Sequence, residues 1–313
     1  MARDRRPAAA RRRRGGAVRC RGLAWPGRRS HCAGWPPGAD AVAPFDAVAW
    51  HGPVAEAIAP VAPGEGVLTA GADARVGTVL RPAGRRLRHS DVALLTTAGI
   101  AQVAVRVPRV RLVRSGVASP IIDAATNFVA GAIAADGGAA KQPAEGAADR
   151  LDRAFRDETV DAVIVIGGTG MGRRDACVRA LARSGRVAVH GIAISPGETA
   201  ALGEVDGRPV LLLPGRIDSA IAVWLLLGRP LLARLSGCTD TADGQDCVLS
   251  RKVSSSLGLA EVVPVRRVGD AVEPLASGYL SLAALVNADG WILVPPDSEG
   301  YPADARVTVR PLP

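Results

Sequence analysis

The run Val160-Asp161-Ala162-Val163-Ile164-Val165-Ile166 carries almost no polar side chain and leads directly into Gly167-Gly168-Thr169-Gly170-Met171-Gly172. A strand can be apolar on both faces only if both faces are covered, as in a parallel sheet between two layers of helix. The surrounding sequence alternates accordingly. Val110 to Val113 reads as a first strand, and Ile122, Ala125, Val129, Ala132 and Ile133 recur at helical spacing. Leu151 and Phe155 mark a second helix, and a third spans Ala176 to Ala182. Val187 to Ile194 and Val210 to Leu213 read as further strands. Ile217, Ile221, Trp224, Leu225 and Leu232 then fall on one face of a last helix. Residues 108–237 are thus expected to form a three-layer α/β/α domain.

The flanks differ. Residues 41–107 are short apolar runs cut by Gly and Pro, a small mixed α/β unit. In it Asp91 is expected to cap a helix over Val92 to Ala98, ended by Gly99, and Val103 and Val105 alternate as a strand. Residues 238–313 show strand-like runs at Glu261 to Arg266, Trp291 to Val294 and Arg306 to Val309, a small β domain. Residues 1–40 read as a disordered, arginine-rich tail.

That tail explains the charge. Of a formal +9 for 313 residues, residues 1–30 contribute eleven arginines against the single acid Asp4. The remainder holds 28 basic and 29 acidic residues, so the body lacks the basic face expected of a nucleic-acid-binding protein. Nucleic acid is expected as a partner only through the tail. Five cysteines, at 20, 32, 177, 238 and 247, have no C-x-x-C spacing and no histidine cluster, which argues against structural zinc. Their odd number fits a reducing compartment, and a cytoplasmic location is expected. The longest consecutive apolar stretch, Ala220 to Leu227, falls well short of the ~20 residues of a membrane span, so no membrane association is expected.

The chemistry concentrates in loops after strands. Gly167 to Gly172 joins a buried strand to a helix, where unpaired N–H groups and the helix dipole favour an anion. It is neither a Walker loop nor the dinucleotide fingerprint, because no Gly-Lys-Ser/Thr follows and Arg173 stands where a third glycine would fall. Anion binding and a plain tight turn both remain open from the residues alone. Pro196-Gly197 and Pro214-Gly215-Arg216 through Ser219 occupy equivalent positions, on the edge where open parallel sheets bind ligands. Arg173, Arg174 and Arg216 could add positive charge there, or lie on the surface. Asp175 could orient a metal-bound water or simply suit a helix N-terminus. Asp123 could be an N-cap or a ligand-side group, and His190, inside an apolar strand, reads as a core histidine.

Taken in order, these residues resemble the molybdopterin molybdenumtransferases, the molybdenum insertases of molybdenum cofactor biosynthesis. The resembling strings are Ala62-Pro63-Gly64-Glu65, Gly71, Asp73, Gly77, Pro82, Gly84, Asp91 and Gly99; Gly167-Gly168, Gly172, Asp175, Pro196-Gly197, Gly203 and Leu213-Pro214-Gly215 with Ser219; and Leu275, Ser277-Gly278, Leu282, Ala288-Asp289-Gly290 and Pro295. The resemblance implies a molybdopterin-binding α/β/α domain, a C-terminal β-barrel domain and a homodimer. It also implies binding of molybdopterin or its adenylylated form, together with molybdate, and cleavage of the adenylate with Mg2+. On the matching positions it places cofactor contacts at Gly167, Gly168, Thr169, Gly170, Gly172, Pro196, Gly197, Pro214, Gly215, Arg216 and Ser219, and catalytic carboxylates at Asp175 and Asp123.

The departures bear on catalysis. The inserted lid domain of the family, with its Met-Thr-Gly-Ala-Pro-like and Asp-Gly-Tyr-Ala-like stretches, has no counterpart before Ala62. A Thr-Gly-Asp-Glu-Leu stretch is replaced by Arg114-Ser115-Gly116-Val117-Ala118, so two acids are missing. Arg173 replaces an aspartate, Ser195 and Glu198 replace lysines beside Pro196-Gly197, and Arg216-Ile217 replaces Asn-Pro. The binding frame is kept and the reacting groups are largely rebuilt. Two readings follow: a divergent molybdenumtransferase, and a non-catalytic binder or carrier of the cofactor.

Overall fold

The structure is a computed structural model that describes residues 18–19, 40–51, 54–68, 71–115, 119–146, 148–170, 172, 176–239 and 244–313. It divides into two compact units, Met1–Val105 and Arg106–Pro313.

Within the first unit, β1 (Val18–Arg19) pairs antiparallel with β4 (Val79–Arg81), and β2 (Val48–His51) pairs antiparallel with β3 (Val54–Ala57). The rest of the expected tail lies outside the described residues. Helix α1 spans His89–Thr97, and its N-cap is Arg88 rather than Asp91. Asp91 sits at the third helical position, where its carboxylate accepts from the Arg88 backbone N–H at 2.8 Å and pairs with Arg81 and Arg88. The sequence pattern placed the acid correctly at the helix start, but the reciprocal capping arrangement works from the far side of the first turn. Residues 101–108 form no strand, so the alternation at Val103 and Val105 does not make one.

The second unit is built on a six-stranded sheet in the order β6 (Ala139–Gly146), β5 (Arg109–Ser115), β7 (Ala162–Ile166), β11 (Arg208–Leu213), β10 (Ala201–Val205), β8 (Arg186–His190). Neighbours are parallel from β6 to β11, and β10 is antiparallel to both β11 and β8, so β10 alone runs against the rest. β6 and β10 were not apparent in the sequence. The expected strand Val187 to Ile194 breaks at Gly191, whose φ of 78° turns the chain out of the sheet. Its last residues form β9 (Ile194–Ser195), which pairs in parallel with Ala260 and Glu261 in a different sheet.

Helix α2 (Pro120–Ala135) and the helical run Ile217–Ser236 cover one face of the sheet, and α3 (Ala148–Phe155) with α4 (Cys177–Ser184) covers the other. Alternate residues of β7 serve the two layers: Ile164 and Ile166 join one core cluster, Val163 and Val165 the other. All are buried, at about 1.5–3 kcal/mol per large aliphatic side chain. The run Ile217–Ser236 comprises α5 (Ile217–Val223), a π-helical stretch over Trp224–Gly228, and α6 (Arg229–Ser236). At 20 residues it is long and apolar enough to cross a membrane, more than its consecutive apolar residues indicated. Its apolar side packs on the sheet, with Ala220, Ala222, Val223 and Trp224 fully buried.

The C-terminal part is the expected barrel. Strands run in the order β16 (Gly290–Val294), β14 (Ala260–Val268), β15 (Ala271–Pro274), β12 (Gln245–Leu249), β18 (Arg306–Val309). The Trp291–Arg310 bridge, with reciprocal N–H···O bonds of 2.9 and 2.8 Å, closes the ring. The small ladder β13 (Val253–Ser254) with β17 (Gly300–Tyr301) and the short helix α7 (Leu282–Val286) complete it.

Candidate functional site

In the parallel part of the sheet the chain passes from β5 outward to β6 and then crosses to β7 on the other side. The β5/β7 boundary is therefore a switch point, and the carboxyl ends of its strands open the crevice where such sheets bind ligands. Ser115 ends β5, Gly167 follows β7, Pro214 follows β11, and His190 ends β8 at the same edge.

The first two glycines of the loop are required by contact within the protein. Gly167 and Gly168 have φ of 91° and 68°, and a Cβ on Gly167 would come within 2.6 Å of the Ser115 carbonyl oxygen. A Cβ on Gly168 would lie 2.8 Å from both Cys177 Sγ and Ser115 Oγ. Gly215 packs against Gly167, with its ideal Cβ position 3.4 Å from the Gly167 Cα, so the loops after β7 and β11 touch through glycine. Thr169 is buried and shares a 3.0 Å hydroxyl contact with Thr199. Beyond it, Gly170 is half-buried and Gly172 exposed. Gly168, like Gly170, is half-buried, so the close packing behind Gly168 leaves part of its backbone at the surface of the edge. Met171, Arg173, Arg174 and Asp175 lie outside the described residues.

His190 is not a core residue. It is exposed, because β8 is an edge strand, and its Nε2 donates to the Thr169 carbonyl at 3.2 Å. The apolar run concealed this because the flanking Val187 and Val189 are themselves half-buried and exposed. His190 and Thr199 thus hold the middle of the glycine loop from the β8 side, and neither carried a sequence signal for that role.

The other predicted residues divide. Pro196 follows a cis peptide bond, and Gly197 is buried with its ideal Cβ 2.6 Å from Val223 Cγ2, so Gly197 serves close packing on α5. Asp123 is not the α2 N-cap; Ser119 is, accepting from the Ile121 N–H at 3.3 Å. Asp123 sits in the first turn and is paired with Arg114 at 2.5 Å. Arg216 is exposed, but its guanidinium is clamped by Asp218, with Nε–Oδ1 3.1 Å and Nη2–Oδ2 2.8 Å, and it lies 5.9 Å from the Tyr279 ring centre. Burial pushes the Asp218 carboxyl up, but Arg216 and the Ser219 N–H outweigh it and hold it below the ordinary carboxylate range. The same contact raises Arg216. Ser219 is buried beside Asp218, which accepts from its N–H at 2.8 Å. Among the described residues no three His, Cys, Asp or Glu side chains converge as a metal site.

Comparison with known proteins meets this geometry. Residues 115–234 match the family described as "Probable molybdopterin binding domain". Residues 33–99 match the MoeA N-terminal region (domain I and II), and residues 246–312 match the MoeA C-terminal region (domain IV).

The chain belongs to the MoeA family.

The MoeA N-terminal match begins at residue 33, ahead of the resembling string at Ala62; the molybdopterin binding domain match covers both glycine loops, and the MoeA C-terminal match covers the barrel. The chain is similar to a MoeA protein of molybdopterin biosynthesis from Pyrococcus horikoshii, with 28% identity and a TM-score of 0.65 over 89% of this chain and 73% of that one. A molybdenum cofactor biosynthesis protein from Pyrococcus furiosus shares the fold at a TM-score of 0.62 and 24% identity, over 78% of this chain and 82% of that one. Among curated relatives, a protein of Methanocaldococcus jannaschii named for molybdopterin biosynthesis is 32% identical over 48% of this chain. Molybdopterin molybdenumtransferase 1 of Mycobacterium tuberculosis is 29% identical over 54% of this chain. The matched segments span 36% and 44% of those two proteins.

Proposed function

We propose that this chain binds a molybdopterin-type molecule as a component of molybdenum cofactor biosynthesis, and that it holds its ligand better than it transforms it. The observation that carries the reading is the meeting of the Gly167 and Gly215 turns at the switch point of the sheet. The half-buried Gly170 stands just beyond this meeting point, on the approach to α4, where backbone N–H groups and the helix dipole favour an anionic end group. The family match over residues 115–234 supports the ligand class. Arg216, fixed by Asp218 and flanked by Tyr279, supplies an oriented guanidinium at the adjoining loop.

Cleaving an adenylate requires neutralisation of phosphoryl charge, and a divalent cation needs oxygen ligands for that task. Two carboxylates at this edge do not fit that demand: Asp123 is occupied by Arg114 and Asp218 by Arg216. Glu198, beside Arg216, accepts the Gly197 N–H at 3.1 Å, and a catalytic role is proposed for Asp175. The second reading, a molybdenumtransferase with a rearranged site that also takes molybdate, is favoured by the presence of both MoeA regions and the molybdopterin binding domain in one chain. A homodimer and a cytoplasmic location complete the proposal.

The test is the purified protein with molybdopterin and with its adenylylated form, following binding by calorimetry and AMP release by chromatography. Saturable binding with slow AMP release is the expected result. AMP release at the rate of a complete insertase, abolished by Asp175→Ala, would establish the second reading instead. Absence of binding to either pterin would overturn both.

A further inference from the structure

The barrel closes at only one point, and the gap it leaves has the features of a ligand site. β16 and β18 meet at the Trp291–Arg310 bridge. The next hydrogen-bonded pair in register, Leu293 with Thr308, is not made. The Leu293 carbonyl instead accepts the Tyr301 hydroxyl at 3.0 Å, and Tyr301 is itself anchored in the β13–β17 ladder opposite Val253. A strand wedge thus holds the seam apart. The opening is a cavity of about 260 Å³ lined by Leu293, Pro295, Tyr301, Arg306, Thr308 and Arg310, among others.

Its polar groups come chiefly from β18. Arg306, Thr308 and Arg310 alternate along β18 with the buried Val307 and Val309, so all three face outward on the same side of the strand. Arg310 N–H bonds across the seam to Trp291, so the Thr308 N–H, two residues back, points into the same gap. Arg310 is fixed over the Trp291 ring at 5.1 Å. Elsewhere on the barrel wall, Arg251 and Arg266 share Glu273, and Arg267 donates to Gln245. Among the described residues neither Arg306 nor Arg310 has an acidic partner. The carboxylate beside them, Asp246, accepts the Thr308 hydroxyl at 2.9 Å, so two guanidinia outnumber it; with the Thr308 N–H and an apolar wall, they are the groups that recognise an oxyanion.

We propose that the open seam between β16 and β18 is a second ligand site, separate from the glycine-loop edge, that takes a small molecule bearing carboxylate or phosphate groups. The cavity volume limits the ligand to a few heavy-atom groups. The inference rests on the barrel alone and does not depend on the pterin reading.

The experiment uses the full chain labelled with ¹⁵N-tryptophan. Inorganic phosphate and succinate are titrated at constant ionic strength, with chloride as the control. The expected result is a saturable shift of the Trp291 indole resonance, assigned with Trp291→Phe, for at least one of the two oxyanions and not for chloride. A response to phosphate alone or to succinate alone identifies the source of the anion. Arg306→Gln, at an exposed and unpaired side chain, should raise Kd at least tenfold without moving Tm, and Arg306→Lys should lose less. A titration that never saturates, a shift equal to that of chloride, or an unchanged Kd in Arg306→Gln would overturn the proposal. Pterin binding by the same Arg306→Gln protein separates its failure from that of the glycine-loop site.

Discussion

Cys177 Sγ lies 2.8 Å from Ser115 Oγ, and this contact ties the first residue of α4 to the last residue of β5 beneath the glycine loop. Cys177 also reaches the Gly167 carbonyl at 3.4 Å. The loop is thus seated on a thiol and a hydroxyl, with no room for a side chain between them.

Gly168→Val should therefore act on the fold before it acts on any ligand. Its Cβ would meet both Cys177 and Ser115, and the left-handed backbone adds about 1–2 kcal/mol for a residue with a Cβ. A total loss of about 3 kcal/mol or more, measured by urea unfolding, is expected. Gly170→Ala should leave Tm within a degree or two and weaken pterin affinity about tenfold, or about 1.4 kcal/mol. Equal destabilisation by the two substitutions would show that the whole loop is structural.

Gly228 offers a test of packing in the long helix. A Cβ there would fall 2.3 Å from Trp224 Cε3, inside a ring that is fully buried. Glycine to alanine in a helix normally gains up to about 1 kcal/mol. Here overpacking, at about 1–3 kcal/mol, should outweigh that gain, and Gly228→Ala should lower the midpoint of chemical unfolding. A raised midpoint would mean that the indole can move.

The acid limb of stability follows from three aspartates. Hydrogen bonds from Arg88, with Arg81 nearby, bring Asp91 from 3.8 down to about 2. Hydrogen bonds from the Thr159 hydroxyl and Arg111 lower Asp157 against its burial, and Arg109 outweighs the effect of burial to lower Asp161. A depressed folded-state value contributes stability that is present above the ordinary carboxylate pKa and is lost as pH falls through the folded value. Tm should be flat between pH 7 and 5 and fall from about pH 4 downward. Asp91→Asn should be less stable than the parent at pH 7, and the difference should shrink toward pH 2. A difference independent of pH would assign the loss to packing.

Removing residues 1–17, which precede β1 and hold seven of the arginines, should leave Tm and pterin affinity unchanged while lowering retention on a phosphate-bearing resin at low salt. Loss of affinity for pterin would give the arginine-rich segment a place in the site.

The sheet was legible because its central strands are apolar on both faces and their glycine turns recur. Strand β7, helix α2 and the Pro214-Gly215 turn all stand where the pattern put them. β6 was hidden by Lys141, Gln142 and Pro143, tolerated because it is an edge strand. β10 was hidden by a glycine and a glutamate, since Gly203 lets the chain pass close to the Arg186 carbonyl. For the site, the positions of the loops could be read, but not which glycines face inward. That depends on Ser115, which is fifty-two residues away from Gly167 in the chain and adjacent to it only after β5 and β7 pair. His190 was misread because strand periodicity cannot tell an edge from a centre.

The two-residue strand Ile194–Ser195 leaves the α/β sheet to lie beside Ala260 and Glu261 of the barrel, and Val262, Leu280 and Trp291 share the core cluster beneath α5. A cut near residue 238 would leave each fragment with an orphaned ladder and an uncovered apolar wall. The barrel is in that sense an obligate companion of the sheet, and a gene fusion that swapped one for a foreign partner would have to supply a matching seam on both sides.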